Sequence, residues 1–340
     1  MSPFRSSKNN ITSSSSSVRA VNGRDTLGAS VGRNNAFETW TYGNYRYYSF
    51  TDDGFFEILR SGPIDVAIIG GGGAGGGDDN GGGGGAGAFV ENYNVTFPIG
   101  KYDVIIGRGG IGTKATYFAT AGGASKLLGP SNFTDITAVG GAYGAGSSNF
   151  AGPPGTGSGG GGSPYSGKSN AVDHAHGSPG GGAKPGGGGG GGGAGSVGSY
   201  YDPSNVFVSP PVSSPIASPS NVGMMGGNGK AMFGGDLGIP ENYGYNTNNT
   251  PYAANGRHFA GGGGGGDTPG GSYNGYLRNP GGGGAVAGSG PSKLINDPLR
   301  HIYDGDPNTG SGGSGGSNGY VSGNGGSGIL IIRIPIVFAE

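Results

Sequence analysis

This chain contains no cysteine, which excludes disulfide staples and thiolate metal sites and leaves it free to fold in a reducing compartment. Charge is nearly as scarce: Asp, Glu, Lys and Arg make up 11% of residues and the formal net charge is −1. Neither nucleic acid nor an anionic membrane finds an electrostatic footprint in such a sequence. No segment repeats apolar residues at the helical period, so almost no α-helix is expected. The strongest apolar run, GILIIRIPIVF at 328–338, is too short to span a bilayer and is broken by Arg333 and Pro335. The opening MSPFRSSKNNITSSSSS lacks the apolar stretch of a secretory signal. These absences predict a soluble chain, made in a cytoplasm, that neither inserts into membrane nor binds nucleic acid.

What is abundant is glycine, at 88 of 340 positions, accompanied by 18 Tyr and 14 Phe. Disordered chains are generally poor in aromatics, so this composition argues for order. With 32% hydrophobic residues the apolar core must be concentrated in part of the chain. Residues 1–36 are polar, with serines at 13–17, and read as an arm that needs a partner to hold it. From Phe37 to Val139 the sequence reads as strands: YRYYSF (45–50), FFEILR (55–60), IDVAIIG (64–70), AFVENYNVTF (88–97), DVIIG (103–107) and FTDITAVG (133–140). Asp52-Asp53-Gly54 between the first two predicts a hairpin turn. An apolar strand left unpaired at the end of the chain would be an aggregation edge. Residues 328–340 are therefore expected to return and complete the 37–140 unit as a β-sandwich-like fold.

Residues 141–327 are glycine tracts separated by polar and aromatic segments. Flexible linkers usually mix serine into such tracts, and collagen requires a strict Gly-X-Y period that is missing. The remaining form is a bundle of packed polyglycine II helices, left-handed and with three residues per turn. Such a rod makes no internal hydrogen bonds, so its N–H and C=O groups must pair with neighbouring rods. Only glycine lets backbones approach that closely. The expected fold class is thus all-β with a glycine-rich region, in which the variable chemistry is pushed into the segments between rods.

The stretch IDVAIIGGGGAGGG places Gly70, Gly72 and Gly75 after a strand in the spacing of a dinucleotide fingerprint, with Glu91 near the position of a ribose-binding acid. That fingerprint needs a helix N-terminus for the pyrophosphate, and residues 70–87 cannot form one. No cofactor is expected, and no catalytic constellation stands out, so the chain is read as non-enzymatic. His174 and His176 lie two residues apart; three copies around a threefold axis would offer six nitrogens, although a solvated loop is the plainer reading. Tyr165, Tyr200, Tyr201, Tyr243, Tyr245, Tyr252, His258, Phe259, Tyr273, Tyr276 and Tyr303 fall between the glycine tracts. Tyr with Ser, Gly and Asn is the vocabulary of adaptable binding loops. The alternative is that these rings cover the flanks of the rod bundle as its apolar core.

YRYYSFTDDGFFEILRSGPIDVAIIGGGGAGGG resembles the opening of the glycine-rich domain found in bacteriophage tail-fibre and adhesin proteins. KYDVIIGRGG, GGASKLLGPSNFTDITAVGG and the closing GGSGILIIRIPI are similar to its later parts, so the resemblance covers about residues 42–338. The middle region is similar to the distal adhesins of T-even-like phages and to glycine-rich fibres of marine and cyanobacterial phages. The proline-rich insert at 202–221 and the short tracts at 261–266 and 281–284 depart from that pattern. The resemblance implies a virion protein, a tail fibre or receptor-binding adhesin. Residues 1–36 would engage other tail or fibre proteins, the loops would meet a host surface glycan or outer-membrane protein, and the chain would form a homo-oligomer such as a trimer. Its rival is a structural virion component, a head fibre or decoration protein, with no dedicated receptor.

Overall fold

The computed structural model describes residues 29–77, 80–113, 119–146, 157–163, 176–183, 187–198, 200–201, 207–208, 226–240, 243–246, 257–266, 304–316 and 321–336. Two antiparallel sheets form a sandwich. The first contains β1 (Ser30–Asn34), β4 (Gly54–Arg60), β7 (Gly100–Ile105), β8 (Ser125–Leu128) and β9 (Ile136–Ala138), in that spatial order. The second runs β2 (Glu38–Tyr42), β3 (Tyr45–Phe50), β15 (Ile329–Pro335), β5 (Gly62–Ile69), β6 (Phe89–Phe97). The terminal strand therefore returns as expected, and it lies at the centre of its sheet. Short strands complete the set: β10 (Tyr200–Tyr201) with β11 (Phe207–Val208), and β12 (Lys230–Ala231), β14 (Arg257–Phe259) and β13 (Tyr245–Asn246) as a small three-stranded sheet. A single 3-10 turn, Met232–Gly234, is the helical content of the described residues.

Alternation in β15 explains its unbroken apolar run. Leu330, Ile332 and Ile334 face the core between the two sheets, beside Phe50, Phe56 and Tyr102. Ile329 and Ile331 face the other way, into a second core with Tyr47, Ile69, Met232 and Phe259. A strand buried on both faces loses the polar half of its pattern. The second core is built by Met232, Phe233, Ile239, Tyr243, Phe259 and Ala260 lying over the outer face of the second sheet.

Two expectations change here. Asp52-Asp53-Gly54 does not close a hairpin, because β3 pairs with β2 and β15 while β4 pairs with β1 and β7. The turn instead carries the chain between sheets. The Asp53 carboxylate accepts the Ile106 N–H at 2.8 Å, and Phe50 and Phe56 meet across the core at 5.8 Å between ring centroids. The polar arm also ends earlier than residue 36. Ser30–Asn34 is an edge strand on β4, with Ala29 buried beside it, while residues 1–28 lie outside the described residues.

The glycine tracts form the expected lattice, and its hydrogen bonds repeat every three residues. In the rod 70–76, the N–H groups of Gly70, Gly73 and Gly76 donate to Ala88, Gly85 and Gly82; those of Gly71 and Ala74 donate to Gly123 and Thr120; those of Gly72 and Gly75 donate to Gly326 and Gly323. Its carbonyls accept from Gly141 and Gly144, from Gly110, and from Gly313 and Gly316. One rod thus has six neighbours, the rods 81–88, 119–124, 321–328, 139–145, 107–113 and 309–316. The rod 81–88 is enclosed in the same way by 70–76, 139–145, 157–163, 187–193, 260–266 and 309–316. A period of three with bonds in three directions is the geometry of packed polyglycine II helices.

The lattice does not begin at residue 141, where composition alone places the boundary. Its two enclosed rods are 70–76 and 81–88, joined directly to β5 and β6; 107–113 and 119–124 join β7 and β8, 139–145 follows β9, and 321–328 leads into β15. Sandwich and lattice are interleaved along the chain. At their junction the buried Ser125 hydroxyl donates to the Ile69 carbonyl at 2.7 Å and accepts the Gly107 N–H at 2.9 Å.

Space decides the composition. A Cβ on Gly83 would lie 2.0 Å from the Gly263 carbonyl oxygen, and one on Gly75 would lie 1.8 Å from that of Ser314. Backbone on every side prevents relief by a side-chain rotation. Gly83→Ala should therefore cost more than about 4 kcal/mol or prevent folding. Gly123→Ala, whose Cβ meets nothing closer than the Arg108 nitrogen at 3.1 Å, should cost under about 1.5 kcal/mol. Chemical denaturation of both variants checks this contrast. In hydrogen exchange, the amides of 70–76 and 81–88 should open only with global unfolding, although they sit in glycine.

Candidate functional site

Chain direction in the lattice separates two ends. Residues 70, 88, 107, 124, 139 and 328 abut the sandwich strands, so 76 and 81 mark the opposite end. The hydrogen-bond register brings 113, 120, 145, 162, 181, 188, 266, 316 and 323 to that far end. The rods flanking residues 114–118, 184–186 and 317–320 on both sides terminate there. At the same end Asn80 takes a left-handed φ of 58°, which Asn tolerates better than most residues. Its carboxamide is fully buried and has no hydrogen-bond partner among the described residues. Burial without a partner costs about 1–3 kcal/mol.

The second candidate lies on the outer face of the second sheet, where Phe233, Asp236, Gly238 and Tyr243 are fastened down. Arg333 on β15 pairs with Asp65 on β5, its register partner, with Nε to Oδ2 at 2.9 Å. Its Nη1 lies 2.5 Å from Asp236 Oδ2, which also accepts the Tyr47 hydroxyl at 2.5 Å. The Arg333, Asp65 and Asp236 side chains are 11%, 7% and 13% exposed. The guanidinium centre sits 4.4 Å from the Tyr45 ring centroid and 4.3 Å from that of Phe233, a cation held between two ring faces. Burial works against the Arg333 charge, but the two carboxylates outweigh it and raise its pKa above the ordinary value.

Further polar bonds fix the same segment. Trp40 Nε1 donates to the Gly238 carbonyl at 2.7 Å, and its ring stacks on Tyr47 at 5.1 Å and Tyr243 at 5.8 Å. The Tyr243 hydroxyl donates to Glu38 Oε2 at 2.9 Å and contacts Ser49 Oγ at 2.8 Å. Glu91 accepts the backbone N–H of Phe233. Every carboxylate in this cluster holds backbone, guanidinium or phenol. The arrangement is a clamp, with its acids spent on structure.

The residues singled out from sequence fall into three groups. Tyr243, His258 and Phe259 are buried, and Tyr243 and Phe259 belong to the second core, so these three rings do not face an external ligand. This is the core-covering alternative, and its cause is the apolar outer face that Ile69, Ile329 and Ile331 would otherwise expose. His176 is exposed near the sandwich end, where its carbonyl accepts the Phe89 N–H. Tyr200, Tyr201 and Tyr245 lie in β10 and β13. Tyr165, His174, Tyr252, Tyr273, Tyr276 and Tyr303 lie outside the described residues. Among the described residues no group of three or more His, Cys, Asp or Glu is placed to hold a metal ion. The fingerprint glycines 70, 72 and 75 donate their N–H groups to Ala88, Gly326 and Gly323, which accounts for them as lattice residues.

The Arg333–Asp65–Asp236 clamp was missed from sequence, although a signal existed. Arg333 and Asp65 are the lone charges inside two runs that are otherwise apolar, ILIIRIP and IDVAII. Two charged breaks in doubly buried strands ask to be paired with each other.

Arg333→Met should leave two buried carboxylates without their cation and cost about 3–5 kcal/mol. The exposed pair partner Arg33, changed likewise, should leave the denaturation midpoint in place. Alkali should also act here. Burial raises Tyr102 to about 12, burial and then Glu91 raise Tyr93 to about 12, and burial followed by Asp236 raises Tyr47. The unfolded phenols ionise near the ordinary value of 10, before the native ones. Stability should hold below pH about 10 and fall as pH rises toward about 12, as followed by urea midpoints against pH.

Compared with known proteins, a family model described as a glycine-rich domain matches residues 54–335. No curated protein matches the chain.

Proposed function

The chain belongs to the glycine-rich domain family, and from that premise we propose that it is a phage virion protein of the tail-fibre or receptor-binding adhesin kind, acting by non-covalent binding. The observation that carries this reading is the polarity of the lattice. Rods enclosed on six sides leave no room for side chains, so recognition chemistry is confined to where rods end. One end is occupied by the sandwich. The other is where the sequence between fixed rods is free to vary.

The sequence between rods that terminate at this far end carries chemistry suited to a surface receptor. Residues 114–118 read Lys-Ala-Thr-Tyr-Phe, 184–186 read Lys-Pro-Gly, and 317–320 read Ser-Asn-Gly-Tyr. Rings that stack on sugars, with Asn, Ser and Thr to hydrogen-bond their hydroxyls, suit a host glycan or an outer-membrane protein loop. Residues 1–28 would be the arm that joins other tail or fibre proteins, with three copies assembling around the fibre axis. The place of action would be the virion, after synthesis in the host cytoplasm. The reading as a non-enzyme draws support from the clamp, whose carboxylates are committed to structural bonds.

The test uses fluorescently labelled full-length chain on a panel of bacterial cells. Saturable binding that falls at least tenfold when 114–118 and 317–320 are both replaced by Gly-Ser sequence, with the denaturation midpoint kept, is the expected result. A folded chain that binds no cell on the panel saturably would instead favour the structural virion component.

A further inference from the structure

We infer that residues 304–336 are a separable complementing segment, and that the slot between β3 and β5 together with the adjoining lattice channel is its binding site. The slot takes one extended strand. β15 pairs with β3 from Leu330↔Phe50 to Pro335↔Tyr45 and with β5 from Ile329↔Ile69 to Arg333↔Asp65. Without it, β3 and β5 would stand about 9.5 Å apart, two strand spacings, with facing N–H and C=O groups unpaired. Residues 329–332 are fully buried, so the slot is lined on both faces.

The channel takes the two rods of the same segment. Gly81, Gly84 and Gly87 donate to the carbonyls of Gly316, Gly313 and Gly310, while Gly72 and Gly75 donate to those of Gly326 and Gly323. Removing this segment would strip both enclosed rods of donors' partners at once. It would also leave Asp65 and Asp236 buried without Arg333. The rest of the molecule is therefore an acceptor that is incomplete in both its cores and its lattice.

No disulfide joins the segment to that acceptor, because the chain contains no cysteine. This is strand addition of the kind used between proteins, here supplied by the chain's own last segment. It follows that the segment can be delivered as a separate peptide.

The experiment starts from the full chain, with a specific protease site inserted after Gly284 and cut only after folding. The uncut protein with the insert serves as the folding control. The two pieces should co-elute at a ratio of one to one in native buffer and separate in denaturant. After separation and removal of denaturant, the large piece alone should fail to regain its sheet circular dichroism. Adding a synthetic 304–340 peptide should restore it, and the same peptide carrying Ile331→Asp should restore at least tenfold less. Loss of the small piece in native buffer would overturn the inference. So would a large piece that recovers its sheet signal without any peptide.

Discussion

The structure depends on one contact: a backbone N–H donating to a carbonyl of a neighbouring rod, at an approach so close that most lattice positions must be glycine. Around residues 70–76 this contact is made in three directions outward and received from three more. A β-sheet satisfies its backbone within a plane and must then bury side chains above and below it. The lattice satisfies its backbone in all lateral directions and needs no side chains. That is how a chain with 32% hydrophobic residues can be ordered over so much of its length.

Lattice and sandwich are not two modules joined by a linker. Each strand that enters the lattice does so without a break, so the spacing of the strands fixes the spacing of the rods. Ser125 shows how the seam is sealed: one hydroxyl serves the last carbonyl of β5 and the first amide of the rod after β7. The alanines at the sandwich end make a similar point. Ala88 packs into the core between the sheets, while Ala86 and Ala260 join the second core, so a methyl group is used where rods meet side chains.

Much of this was legible in the sequence, and the misses have physical causes. Purity of the glycine runs pointed to rods, and the unpaired hydrophobicity of 329–335 pointed to its return. The strand segments at 45–50, 55–60, 64–70 and 88–97 lie within one or two residues of β3, β4, β5 and β6. Asp52-Asp53-Gly54 misled because turn chemistry is local and says nothing about which sheet the next strand joins. β8, only four residues set among glycines, is too short to show a period. The lattice boundary was misplaced because glycines 70–87 sit among strands, and composition does not report that two sandwich hairpins continue as rods. Tyr243 and Phe259 looked like loop residues because the apolar face they cover belongs to strands distant in sequence, β3 and β5 almost two hundred residues earlier and β15 about seventy residues or more later.

The two halves bury opposite kinds of surface, and this has a calorimetric consequence. Hydrating apolar groups on unfolding raises the heat capacity, whereas hydrating peptide groups lowers it. The sandwich, with its isoleucines and aromatic rings, contributes the usual positive sign. The lattice, lined by peptide groups and almost bare of carbon side chains, contributes the opposite sign. For a chain of this length the stability curve is consequently shallow, and the lattice's share of the stability is enthalpic and grows on cooling rather than fading.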